Sequence, residues 1–144
     1  MNNTTPFLYI IRSNTATGVA SNNLTMKLNG LPTRNRHFYC EVVSFMVSAI
    51  QADLTNYVVE LRADSGFGIV NGRDTSTLAL RTIAFTNTNN NYPQSTYGFM
   101  VENFNGRSIN FQLYDEYQML LVNKADATAF NKGWILVLKM TPID

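Results

Sequence analysis

His37-Phe38-Tyr39-Cys40-Glu41-Val42-Val43-Ser44-Phe45-Met46-Val47-Ser48 is the longest strand candidate in the chain. Successive side chains of an extended segment point to opposite faces. Phe38, Cys40 and Val42 therefore share one face, and Tyr39, Glu41 and Val43 the other. Aromatic and β-branched residues, which suit a pleated and half-buried surface, fill most of it. The alternation blurs at Phe45-Met46-Val47, which predicts a bulge, a bend or burial on both faces.

Working outward, the same grammar repeats on both sides. Toward the N-terminus, Leu24, Met26 and Leu28 alternate cleanly and end at Asn29-Gly30 and Pro32, residues that favour turns. Phe7–Arg12 (FLYIIR) is the first strand candidate, and the polar stretch Ser13–Asn23 follows it. Toward the C-terminus come Tyr57–Arg62, Leu78–Phe85, Tyr97–Glu102, Ser108–Tyr114 and Trp134–Met140. Asn103-Phe104-Asn105-Gly106 reads as a hairpin between two of these. Ala125–Phe130 suits a short helical turn. The near-continuous apolarity of Trp134–Met140 predicts a central strand buried on two sides. No segment carries a helical stripe over three turns, and no βαβ rhythm appears. Eight strands separated by turn chemistry predict an all-β, eight-stranded antiparallel sandwich, a jelly roll before a barrel or an immunoglobulin-like sandwich. With one Cys and one Trp, the immunoglobulin Cys…Trp…Cys hallmark is absent. Residues 1–144 read as a single domain, with 1–6 as a flexible N-terminal arm.

Composition narrows the function. The 144 residues hold 11 basic and 10 acidic side chains, a net charge of +1. That balance argues against nucleic acid, whose partners carry a basic stripe. The one basic cluster, Arg34, Arg36 and His37, reads as a solvated turn. Charged residues make up 15% of the chain, against roughly 25% in typical soluble domains. Asn and Thr fill the gap. A polar surface with few ions is cheaper to desolvate against a partner. The N-terminus has neither the basic region nor the apolar run of a signal peptide, and no apolar run approaches membrane-spanning length. Cys40, the single cysteine, reads as a buried small hydrophobe.

Catalytic and metal chemistry find little material, and no catalytic, cofactor-binding or metal residue is assigned. A Ser-His-Asp triad would have to use His37, the single histidine, beside Arg36. His37, Cys40 and Glu41 fall close in sequence, but His37 and Cys40 are three apart and face opposite sides of a strand. Asp115-Glu116 suits a solvated turn better than a glycosidase pair. Asp64 and Asp74 lack the spacing of a calcium loop. Gly66-Phe67-Gly68 is a weak match to a phosphate loop, with no helix and no Gly-Lys-Ser/Thr after it. A carbohydrate-binding sandwich, such as a receptor-binding or adhesin head, is the alternative function, with Phe67, Tyr92, Tyr97 and Asn89-Asn90-Asn91 as its candidate contacts.

The C-terminal third carries a resemblance. Tyr97-Gly98-Phe99-Met100-Val101-Glu102-Asn103-Phe104, Ser108-Ile109-Asn110-Phe111-Gln112-Leu113-Tyr114-Asp115 and Trp134-Ile135-Leu136-Val137-Leu138-Lys139-Met140-Thr141-Pro142-Ile143 follow one another. This succession resembles the single-jelly-roll penton-type and minor capsid proteins of large icosahedral DNA viruses and their satellites. The resemblance implies a structural virion protein, assembled inside the host cell and placed at a vertex or as cement between capsomers. It implies other capsid proteins as partners and a homo-oligomer, a pentamer before a trimer. It brings no catalytic residues. Ser13–Asn23, Gly66–Thr77 and Thr86–Ser95 are the expected contact loops.

Overall fold

The computed structural model describes residues 5–13, 19–49, 53–54, 58–68, 77–84 (backbone) and 98–143. Eight strands run through them: β1 Phe7–Arg12, β2 Asn23–Lys27, β3 His37–Val47, β4 Val58–Asp64, β5 Thr77–Ala84, β6 Phe99–Glu102, β7 Ser108–Tyr114 and β8 Trp134–Pro142. Each expected strand is present, within a few residues at its ends. They form two four-stranded antiparallel sheets, ordered β1-β8-β3-β6 and β2-β7-β4-β5. The protein is an antiparallel β-sandwich.

The pairing is nested: β1 pairs with β8, β2 with β7, β3 with β6 and β4 with β5. Chain neighbours therefore mostly lie in opposite sheets, and among the described strands only β4 and β5 are consecutive and paired. This corrects the reading of Asn103–Gly106 as a hairpin. β6 and β7 belong to different sheets, and the turn carries the chain across the sandwich. Gly106, at φ +77°, supplies the left-handed residue of that turn. The two flanking amides brace it against the β2–β3 connection. Asn103 Nδ2 donates to the Pro32 and Asn35 carbonyls, and Asn105 exchanges hydrogen bonds with the backbone of Leu31. Phe104, fully buried, turns inward between the sheets. Turn residues fix the backbone angles, but the burial of Phe104 fixes the direction.

The long strand behaves as its blurred alternation predicts. Phe38, Cys40 and Val42 are buried, then the register with β8 slips between Val42 and Ser44. Val43 is the extra residue of this bulge. Beyond it the phase has changed, so Phe45 and Val47 are buried and Met46 is exposed. One inserted residue thus keeps apolar side chains inward along the whole of β3.

The core lies between the sheets. Trp134, the first residue of β8, is edge-on to Phe45 at 6.3 Å and tilted against Phe111 of the opposite sheet at 5.5 Å. Its indole N–H donates to the Ser21 carbonyl at 3.1 Å. Phe67 stacks on Phe104 at 5.2 Å and meets Phe111 at 6.2 Å. Burying each such ring is worth about 1.5–3 kcal/mol over leaving it exposed. The arm expected over residues 1–6 lies outside the described residues except for Thr5 and Pro6, both exposed.

Candidate interaction surface

The outer faces of the two sheets carry different chemistry. On the β1-β8-β3-β6 side, β1 turns Leu8, Ile10 and Arg12 outward, because Ile11 is buried and the half-buried Phe7 and Tyr9 pack on the core. Three rows of outward residues run across β1, β8 and β3: Arg12–Ile135–Met46, Ile10–Val137–Ser44 and Leu8–Lys139–Glu41, and the next row, Thr141–Tyr39–Met100, continues over β8, β3 and β6. Leu8 is 62% exposed, Ile10 48% and Met46 37%. The outer face of an antiparallel sheet is ordinarily polar, so this run of exposed apolar side chains departs from the pattern. The reading of Trp134–Met140 as buried on both sides needs correction here. β8 is central, but Lys139 is exposed and Ile135 and Val137 are only half-buried. The signal for this patch lay in FLYIIR, which is apolar in both phases of its alternation.

The opposite outer face is occupied by hydrogen bonds. Asn110 Nδ2 donates to Asn23 Oδ1 at 2.7 Å and to Thr25 Oγ1 at 3.1 Å, across the β2–β7 pair. Tyr114 bonds Gln112 beside it. The Arg62 guanidinium lies 4.1 Å from the centre of the Tyr114 ring and pairs with Glu60 at 3.0 Å. These polar groups satisfy one another within the chain.

A polar pocket of about 510 Å³ opens at one end of the first sheet. Arg36, His37, Glu102 and Arg107 line it, so Arg36 and His37 of the basic cluster join groups from β6 and from the crossing turn. Arg107 donates to Glu102 at 2.8 Å, and this hydrogen bond, then the guanidinium charge, holds the Glu102 carboxyl below the usual glutamate range. Asn103 and Asn105 also line the pocket, but their amides are largely engaged in the turn bracing described above.

Several expected positions settle differently. Phe67, a candidate sugar contact, is fully buried in the core. Its Gly66-Phe67-Gly68 stretch is a 3-10 turn over Ser65–Phe67, capped by Asp64, whose side chain accepts the Gly66 N–H at 3.0 Å. Asp115 is not solvated. It is 8% exposed, and its Oδ1 accepts the Tyr117 and Met119 N–H groups at 2.8 and 3.1 Å. Glu116 beside it is exposed. Residues 125–130 form no helix: one backbone bond from Ala127 to Asn123 closes a turn, and Val122 then bridges to Ala129. Cys40 is fully buried, its thiol pushed up to about 12 by burial and by the neighbouring Glu41 charge. A thiol in that setting is a poor nucleophile near neutral pH. His37 is half-buried on the same strand. Among the described residues, no group of three His, Cys, Asp or Glu is placed to hold a metal, and no helix is long and apolar enough to cross a membrane.

Of the expected contact loops, residues 14–18, 69–76 and 86–95 lie outside the described residues, as do Asp74, Tyr92, Tyr97 and Asn89–Asn91. The end of the first loop is described and is tied to the body. Ser21 Oγ donates to the Lys132 carbonyl at 2.5 Å, and Asn22 Nδ2 to the Leu121 carbonyl at 2.8 Å. Both residues are buried, so they are withdrawn from partner contact. No family model, curated protein or solved structure matches this chain.

Proposed function

We propose that this chain is a structural virion protein of the penton or minor-capsid type, a jelly roll that works by packing against copies of itself and other capsid subunits rather than by catalysis. The observation that carries the reading is the nested strand order, β1-β8-β3-β6 facing β2-β7-β4-β5. A double Greek key rolled from eight strands has this connectivity, and it is the fold that the C-terminal resemblance implies. The outward Leu8, Ile10, Ile135, Val137 and Met46 of the first sheet add an apolar surface suited to packing. The low charge of the chain, 15% of residues, serves the same end.

The carbohydrate-binding alternative has less behind it. One of its aromatic candidates, Phe67, is core, and the amides of the polar pocket are committed to the backbone.

The test is mass and location. Native mass spectrometry of the purified chain is expected to show a closed oligomer, a pentamer or a trimer, and the chain is expected in purified particles alongside the other capsid proteins. A chain that stays monomeric at high concentration and never co-purifies with capsid overturns the reading.

A further inference from the structure

The apolar patch on the first sheet has an internal arrangement that selects a partner. In the three rows, Arg12 and Glu41 occupy opposite corners. The other diagonal, Leu8–Val137–Met46, is apolar throughout. A two-fold axis lying in the plane of the sheet along that diagonal returns each residue on it to its own copy. The same operation brings Arg12 to within about 6 Å, in the sheet plane, of the copy's Glu41, and Glu41 equally near the copy's Arg12, a gap that the two long side chains can close. Ile10 meets the aliphatic stem of Lys139, whose ammonium lies beside Glu41 of its own chain. Ile135 meets Ser44. No like charges are opposed on the patch.

The geometry points to a second copy of this chain as the occupant of this face, in a face-to-face, isologous contact. With strands about 4.8 Å apart and alternate residues about 6.8 Å apart, the strands of the two copies cross at roughly 70°. That lies near the orthogonal class of sheet packing. The alternative axes do worse. An axis along β8 sets Lys139 against its own copy, and an axis across the strands through Val137 sets Glu41 against Met46 and Arg12 against Leu8. The patch has nine outward residues per copy, against the 20–30 per side of a standard stable interface. The dimer is therefore weak and concentration-dependent by itself. It uses the outer face of the sheet, not the strand edges and loops.

This inference rests on the assembly reading for its biological sense, but its test stands apart. Sedimentation velocity of the full chain over a concentration series up to about 1 mM is expected to show a reversible doubling of mass. Arg12→Glu and Glu41→Arg each weaken it by about tenfold, and the double variant returns it to within a few-fold of the original. Leu8→Asp, which sets a carboxylate against its own copy on the axis, weakens it at least as much. Circular dichroism melting verifies that each variant is folded, and Leu8→Asp keeps the test open should Glu41→Arg disturb Lys139 beside it. Absence of mass doubling at 1 mM overturns the inference, as does doubling that ignores the charge reversals or that the double variant fails to restore. If the chain enters capsids while the reversals change nothing, the face-to-face contact falls and the capsid reading stands. If the charge exchange restores doubling but no capsid subunit ever accompanies the chain, the capsid reading falls alone.

Discussion

The outer side of β1-β8-β3-β6 presents Leu8, Ile10, Val137 and Met46, while the outer side of β2-β7-β4-β5 presents Asn110, Gln112, Tyr114 and Arg62. Inward, the two sheets are alike. Phe38, Val42, Leu136 and Leu138 face Ile109, Phe111, Leu113 and Leu61 across one core, and all are buried. The inward phase of each strand is therefore what the fold requires, and the outward phase is free to answer other demands. On the second sheet it answers with amide, hydroxyl and ion-pair contacts that close within the chain. On the first it leaves methyl and methylene groups in water. That is unfavourable for an isolated domain and useful for one that meets a partner.

Both outer faces hang on a single core, and Trp134 joins the two sheets within it. Trp134→Ala removes the contacts to Phe45 and Phe111 and the indole hydrogen bond to Ser21. A loss of about 3–5 kcal/mol is expected in urea denaturation. It should appear as one cooperative transition that takes both sheets down together. Two separated transitions would mean that the sheets are independent units and that their outer faces evolved on separate supports.

Next in size is Gly98→Ala, just before β6. A methyl group there would lie 2.4 Å from the Tyr39 ring and 2.8 Å from the Cys40 carbonyl oxygen. The side chain or the strand must move, at about 1–3 kcal/mol. Because Tyr39 is an outward residue of the first sheet, Tyr39→Ala in the same chain removes the ring clash and leaves the carbonyl one. Partial recovery in a double-mutant cycle is the expected outcome. Full recovery would show that the backbone gives way and that only the ring holds Gly98.

Much of this molecule can be read from sequence because its information is periodic. The eight strands follow from period-two alternation, and even the bulge at Val43 announces itself as a lost phase at Phe45-Met46-Val47. Which strands pair is another matter. Asn105-Gly106 states that the chain turns, and the turn is there, but nothing local says that β7 joins a different sheet from β6. That decision is made by Phe104 entering the core and by Leu31 and Pro32, some seventy residues away, accepting the bracing amides. Asp115 and Phe67 were illegible for the same reason: an acidic turn residue and a loop aromatic look solvent-facing until the elements that bury them are placed. The apolar outer face was half legible. Leu8 and Ile10 are apolar out of phase with Ile11, but only the register with β8 and β3 assembles them into rows with Arg12 and Glu41.

A pair of substitutions, one on each outer face, has a smaller effect. Asn110→Ala removes the donor shared by Asn23 and Thr25 on the second sheet, and should cost about 0.5–1.5 kcal/mol without changing self-association. Ile10→Thr on the first sheet should change stability by less than about 0.5 kcal/mol, since Ile10 is already 48% exposed. It should nonetheless weaken mass doubling in sedimentation. The reverse pattern, with Asn110 controlling association, would move the contact face to the other sheet.

The smallest effect concerns the rim where the polar pocket opens. Glu102 and Arg107 bond at 2.8 Å, with side chains 49% and 41% exposed. The hydrogen bond from Arg107, then its charge, lowers the Glu102 carboxyl below its unfolded value. The folded state thus binds this proton less readily than the unfolded state. The stabilisation is complete at neutral pH and is lost as the pH falls below about 4.3, through the folded value. Solvent screening at so open a pair limits the contribution to about 0–1 kcal/mol. The difference in urea midpoint between the wild-type chain and Glu102→Gln should therefore be small at pH 7, shrink further by pH 3, and fall with added salt. A difference that persists at pH 3, where the carboxyl is protonated, would mean that the substitution acts through something other than the charge of Glu102, since Gln keeps its shape and its backbone N–H bond to the Gly68 carbonyl. No difference at either pH would mean that the Glu102–Arg107 pair adds nothing to the fold and can open toward a partner without loss of stability.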